Sequence, residues 1–240
     1  MKYAVYAGTR NLYDKMLPAV KSILANSDVD KVYLLIEDDK FPFELPPEVE
    51  CINVSGQKYF RAMSPNNVYP WARMCMTRAA LYKVLPDVDV VLSLDVDTIV
   101  DGDISSLWDL PLDDSYFAAV PEPARSNEKH TYFNAGVVLF NLEKMRDGMG
   151  DKVLNALNWR RYEILEQDCL NELCAGHILA IPSAYNACRF TAEPKIPKIV
   201  HFARVPNWFN EPLVQKYNEL AFDELRQSPK RGRKRAVKED

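Results

Sequence analysis

No stretch of the 240-residue chain approaches the roughly 18–20 consecutive apolar residues that cross a bilayer. The opening Met1-Lys2-Tyr3-Ala4-Val5-Tyr6 lacks the long apolar core and cleavage site of a secretory signal. Cysteine is scarce. The five thiols are odd in number and lack zinc-ligand spacing, which argues against a disulfide framework and reads as reduced thiols in a cytosolic protein. There is no internal repeat. Positive charge is short everywhere except at the end. Residues 226–240 hold seven basic side chains against two acidic ones, so the first 225 residues carry −9 of a chain whose total is −4. An acidic body argues against a nucleic-acid groove. The basic tail has no apolar interleaving and reads as a solvated, disordered end, with peripheral contact to an anionic membrane as the alternative.

What is present is a core. Apolar residues make up 48% and charged residues 27%, the balance of a soluble globular protein, and the length suits one α/β domain. Lys2–Ala7 reads as a first strand, Leu12–Asn26 has helical spacing, and Lys31–Ile36 is too continuously apolar to face water on one side. Strand, helix and buried strand make a βαβ unit with a parallel pair. A third strand is expected at Glu50–Val54, followed by a long loop over residues 55–70 rich in Pro, Asn and Gly. Further on, helices are expected at Trp71–Leu85, Asp103–Trp108 (Asp103 as N-cap), Asp151–Trp159, Ile164–Cys174 and Pro212–Leu225. Strands are expected at Val88–Leu94, Tyr116–Val120, Gly136–Asn141, Ile178–Ile181 and Ile196–Phe202. The sum is a single Rossmann-like α/β domain over residues 1–225 with a mixed, mainly parallel sheet.

Four Asp-x-Asp tripeptides occur, at 28/30, 87/89, 95/97 and 101/103, so the tripeptide alone says little. Only Asp95-Val96-Asp97 directly follows a buried apolar run, Val90–Leu94. Both carboxylates then sit at the carboxyl end of a central strand, the edge where open α/β sheets bind ligands. Crowding two like charges there is costly without compensation. A divalent cation is the usual compensation, and oxygen ligands suit Mg²⁺ or Mn²⁺. The plainer alternative is one Asp capping the next helix and the other solvated.

The segment Asp95-Val96-Asp97-Thr98-Ile99-Val100-Asp101-Gly102-Asp103-Ile104 resembles the metal-binding stretch of glycosyltransferase family 8, the retaining enzymes that include glycogenin and bacterial lipopolysaccharide galactosyl- and glucosyltransferases. Phe133-Asn134-Ala135-Gly136-Val137-Val138-Leu139-Phe140-Asn141-Leu142 is similar to the family's second signature. The resemblance spans roughly residues 1–210 and implies the GT-A nucleotide-sugar fold. It implies that Asp95, Asp97 and His201 bind the metal, with the imidazole favouring Mn²⁺ over Mg²⁺. By the same resemblance Ala7, Thr9, Asn11 and Tyr13 hold the uridine. Thr9 stands where the family more often has Asp, and Tyr13 reads equally well as a core aromatic. Val96, Asn134 and Ala135 line the donor. Arg78 faces the donor sugar and phosphate, with Arg73 as competitor. In Glu166-Gln167-Asp168-Cys169-Leu170-Asn171, Gln167 points near the anomeric carbon and Glu166, in place of the usual Asp, near the sugar hydroxyls. After His201 the family's His-x-x-Gly-x-x-Lys-Pro-Trp is altered. The glycine and the diphosphate-binding lysine are missing, and Arg204 is the substitute on offer.

The expectation is therefore a metal-dependent retaining hexosyltransferase, working in the cytoplasm or at a membrane face, that moves sugar from a UDP-sugar to a hydroxyl of a glycan or lipid-linked acceptor. The rivals are a nucleotidyltransferase acting on a sugar phosphate and a non-catalytic nucleotide-sugar-binding protein. The first is disfavoured by Gly8-Thr9-Arg10-Asn11, which is not a glycine-rich basic loop.

Overall fold

The computed structural model describes residues 1–227. The first strand, β1 (Tyr3–Ala7), leads through a short 3₁₀ turn into α1 (Tyr13–Asn26) and back to β2 (Lys31–Ile36), and the two strands pair in parallel. Then come β3 (Val49–Asn53), α2 (Ala72–Met76), α3 (Leu81–Val84), β4 (Val90–Leu94) and β5 (Thr98–Val100). The second half contains β6 (Phe117–Pro121), β7 (Phe133–Asn141), α4 (Leu142–Lys144), α5 (Gly150–Trp159), α6 (Leu165–Leu173), β8 (Ile178–Ala180), β9 (Ile199–His201), α7 (Pro212–Asn218) and α8 (Phe222–Gln227).

Seven strands form one sheet in the order β3-β2-β1-β4-β7-β6-β8. Only β7 runs against its neighbours, so the sheet is mixed and mainly parallel. Strand alternation sorts the core into two layers. Val5, Leu35, Val91, Phe117 and Phe140 face the helices α2, α3, α5 and α6. Tyr6, Leu34, Leu92, Ala118 and Leu139 face α1 and the opposite flank. Burial on both faces explains why β2 is apolar from Val32 to Ile36 and why β4 carries a single polar residue, the buried Ser93.

Several expected elements differ from those observed. Trp71–Leu85 is not one helix. A 3₁₀ segment, Thr77–Ala80, separates α2 from α3, and at its start the Thr77 hydroxyl donates back to the Arg73 carbonyl (2.8 Å). The last helix is broken too: the Asn218 carbonyl is diverted to the Lys21 ammonium (2.9 Å), and the Glu224 carboxylate accepts the Ala221 N–H (2.9 Å) where α8 begins. Ser105–Asp109 is a 3₁₀ turn, with Asp103 accepting the Ser105 N–H (2.9 Å). α8 extends through Gln227, past the expected start of the tail at 226; the rest of that tail lies outside the described residues. The five cysteines are all unpaired. Among the described residues, no helix is long and apolar enough to cross a membrane.

Candidate metal and donor site

The site grows from the carboxyl edge of β4. Asp95 leaves the strand with its N–H still held by the Gly136 carbonyl on β7 (2.8 Å), and Asp97 follows one turn later. The chain enters β5 at once, and β5 pairs antiparallel with β9, with Thr98 opposite His201. The Phe202 N–H closes the ribbon onto the Asp97 carbonyl (2.9 Å). That pairing brings a histidine from far down the chain to the two aspartates. His201 Nε2 lies 3.4 Å from Asp97 Oδ1 and 3.6 Å from Asp95 Oδ2. One ligand atom from each of the three residues lies within 4.8 Å of the others. His201 is buried; burial works against a charged ring, but the Asp97 hydrogen bond and the nearby carboxylates raise its pKa to about 10. Asp97 is held below the usual carboxylate range: burial opposes this, and the His201 hydrogen bond and charge outweigh it.

A bulge in the sheet builds the neighbouring wall. The β6–β7 register jumps between Ala119, opposite Val138, and Val120, opposite Asn134. Residues 135–137 thereby lose their β6 partners, and side chains use the released backbone. Gln167 Oε1 accepts the Ala135 N–H (2.8 Å), and the Arg78 guanidinium donates to the Ala135 carbonyl. Gly136 lies directly under the imidazole, so a methyl group on its Cα would overlap the His201 ring. Only glycine lets the ring approach this closely.

Asp95, Asp97, Asn134, Gln167, His201 and Arg204 line one cavity of about 220 Å³, joined by Glu122 and Arg125. Gln167 is fixed from two sides, since its Nε2 also donates to the Tyr132 hydroxyl (3.1 Å). Just before it, Leu165 adopts φ 43°, a left-handed conformation that costs a leucine about 1–3 kcal/mol and is typical of positions where the fold over-determines a site.

Other expected residues stand elsewhere. Arg78 and Glu166, expected at the donor sugar, stand beside the cavity, paired with each other and, through Arg78, with Asp95. The physical reason is mutual pairing. Arg78 is buried, ion-paired with Asp95 and, at 3.2 Å, with Glu166, so its donors are spent inside the protein. Burial opposes its charge but the two carboxylates hold it on, while burial pushes the Glu166 carboxyl up against the pull of Arg78. Ala135 contributes backbone, as described, and Val96 is half-buried against the core. Thr9 and Asn11 line a separate recess of about 640 Å³ near the ends of β1 and β2, with Arg10, Glu37, Pro70 and Trp71. Ala7 ends β1 beside it. Tyr13 is the core aromatic of the two readings. It is 3% exposed, packs on Phe41, and its hydroxyl accepts the Glu37 N–H (2.8 Å) and donates to Asp38 (3.0 Å).

Sequence reading placed Glu122 and Arg125 only within a loop, 122–132, expected to meet the acceptor, and missed Asn186 altogether. Glu122 was within reach of the rule that selected Asp95, because it directly follows the buried strand β6 at the same edge of the sheet. Asn186, fully buried at 0% exposure, follows a 3₁₀ turn and had no such signal.

The sequence and the fold match known proteins. Residues 12–204 match glycosyl transferase family 8, and the chain belongs to that family. It is 32% identical over 146 residues to lipopolysaccharide 1,2-glucosyltransferase of Escherichia coli K12, covering 55% of this chain and 43% of that one. The crystal structure of the glycosyltransferase GlyE of Streptococcus pneumoniae TIGR4 superposes with a TM-score of 0.71 at 20% identity, over 93% of this chain and 62% of that one. The galactosyltransferase LgtC, solved with donor and acceptor sugar analogues, gives 0.64 at 18%, over 94% and 99%. Over the matched regions these structures share the α/β GT-A fold described above. The chain spans less than half the length of some curated relatives it matches, 37% and 43% in two cases.

Proposed function

We propose that this chain is a metal-dependent, retaining hexosyltransferase that moves a sugar from a UDP-sugar to a hydroxyl of a glycan or lipid-linked acceptor. The observation that carries the reading is the convergence of Asp95, Asp97 and His201 on one cavity with Asn134 and Gln167, in a family 8 chain. The donor set fits a divalent ion. Two carboxylates and an imidazole favour Mn²⁺ over Mg²⁺, and the glycine under the ring keeps Nε2 aimed at the carboxylates. When bound, such an ion supplies positive charge to the diphosphate of the donor.

The chain's own residues do the rest. Arg204, exposed at the cavity mouth, replaces the family's lysine as a cation for the diphosphate. Asn134 and Gln167 line the sugar. The Gln167 amide is locked by Ala135 and Tyr132, so it faces the anomeric centre without reorganising as positive charge develops there. The ion pair with Arg78 holds Asp95 in place. Glu122 on the cavity wall is engaged through Oε1 by Asn134 and Gln167, and the reading has the acceptor attack on the face that the diphosphate leaves. Unpaired thiols throughout the chain support a cytoplasmic setting, and the basic composition of residues 226–240 suits contact with an anionic membrane face.

The test is turnover of labelled UDP-hexoses with Mn²⁺. Release of UDP, not pyrophosphate, is expected, with a loss of at least about a hundredfold in kcat for Asp97→Ala. Unchanged transfer in that variant would remove the metal reading. Donor binding without turnover on any acceptor would leave a binding protein.

A further inference from the structure

Behind the cavity wall runs a chain of buried amides that ends on the metal-ligand histidine. Asn134 Nδ2 donates to Glu122 Oε1 (2.5 Å), and Asn134 Oδ1 accepts the Gly136 N–H (2.9 Å). Asn186 Nδ2 donates to the same Asn134 Oδ1 (2.7 Å), and Asn186 Oδ1 faces His201 Nδ1 at 2.9 Å. The polarity of this chain is not a free choice. The Gly136 N–H can only donate, so the Asn134 atom beside it is the oxygen. That oxygen can only accept, so the Asn186 atom beside it is the nitrogen. Asn186 is left with its oxygen toward the imidazole, and an oxygen there requires a proton on Nδ1. The lone pair for a metal is then on Nε2, the nitrogen aimed at Asp95 and Asp97.

Asn186 is itself immobilised. Its carbonyl accepts the Thr191 hydroxyl (2.7 Å), its N–H donates to the Ser183 carbonyl (3.1 Å), and the next residue exchanges backbone bonds with β9 on both sides of Val200. Gly136 sets the plane of the ring from below and Asn186 sets its rotation from the edge.

We infer that Asn186 is a positioning residue for the metal centre: its side-chain oxygen fixes the tautomer and rotation of His201, and so sets the affinity of the site for a divalent cation. Metal-bound histidines commonly donate their second ring N–H to such a partner, and removing it typically weakens metal binding about 10–100-fold. The inference rests on the metal reading above and deepens it.

The experiment is titration of the full chain with Mn²⁺ alone, followed by calorimetry and by the EPR signal of free Mn²⁺. Wild type, Asp97→Ala and Asn186→Ala are compared, with metal-free melting curves as the control for folding. The expected result is an affinity loss of about 10–100-fold in Asn186→Ala. A folded Asn186→Ala that binds Mn²⁺ as wild type does overturns the inference. Wild type loaded with diamagnetic Zn²⁺ gives a reading independent of any variant: ¹⁵N NMR is expected to find His201 protonated at Nδ1 and bare at Nε2, and the reverse overturns the inference. If wild type takes up no more Mn²⁺ than Asp97→Ala, the metal reading itself fails and this one with it. If the two differ, the metal reading stands and the Asn186 results decide alone.

Discussion

The two halves of the sheet's carboxyl edge are built to different standards. Around β4, β7 and β6, a set of buried polar groups is committed to partners inside the protein. Arg78 is shared among Asp95, Glu166 and the Ala135 carbonyl, and Gln167, Asn134 and Asn186 are bonded at both ends of their amides. Around β1 and β2 the recess is roomier. Its polar groups bond to near neighbours, Thr9 to Asn11 (2.6 Å) and the Arg10 N–H to Glu37 (2.9 Å), with exposed Trp71 at its rim. The half that would meet the reacting centre is preorganised, and the half that would meet the base is adaptable.

The comparison can be broken most directly at Arg78. Arg78→Ala strands Asp95 and buried Glu166 without their cation, and about 3–5 kcal/mol of stability is expected to go, read from urea unfolding. A loss under 1 kcal/mol would show that the network is not a structural unit. Gly136→Ala comes next. The new methyl collides with the imidazole, so a stability loss of about 1–3 kcal/mol is expected, together with at least tenfold weaker Mn²⁺ uptake by titration. A smaller effect follows pH. The folded pKa of His201, about 10, lies above its ordinary 6.5. The charged ring therefore stabilises the metal-free protein fully below pH 6.5, and this contribution fades as pH rises through about 10. Metal must displace that proton, so Mn²⁺ affinity is expected to climb over the same window. Melting curves with and without Mn²⁺ between these pH values test both signs. The smallest effect belongs to the adaptable half. Thr9→Ala is expected to leave Mn²⁺ binding untouched and to weaken UDP binding by no more than about tenfold, the worth of one partly exposed hydrogen bond. A large effect on the metal would join the two halves that the structure keeps apart.

Much of this edge was legible in the sequence because it depends on local pattern. β2 has the expected bounds, Lys31–Ile36, since a doubly covered strand must be apolar throughout. Asp95 and Asp97 announced themselves by following β4. What stayed hidden depends on register between distant segments. β5 is three residues long, too short for any periodicity, yet it delivers His201. The residue type of His201 suggested a ligand only through the family resemblance. The inward turn of Arg78 was equally invisible, because nothing in Thr77-Arg78-Ala79-Ala80 marks a 3₁₀ segment or the two carboxylates waiting beneath it.

The β5–β9 ribbon has a consequence for how competence is acquired. The two aspartates are in hand once the central strands assemble, but the imidazole arrives on a separate two-stranded piece near the end of the described chain. A fragment cut before residue 199 would keep the seven strands of the main sheet and lack the clasp. Cation uptake would therefore report on completion: it would distinguish a finished molecule from one whose sheet has formed but whose segment from residue 199 onward has not yet docked.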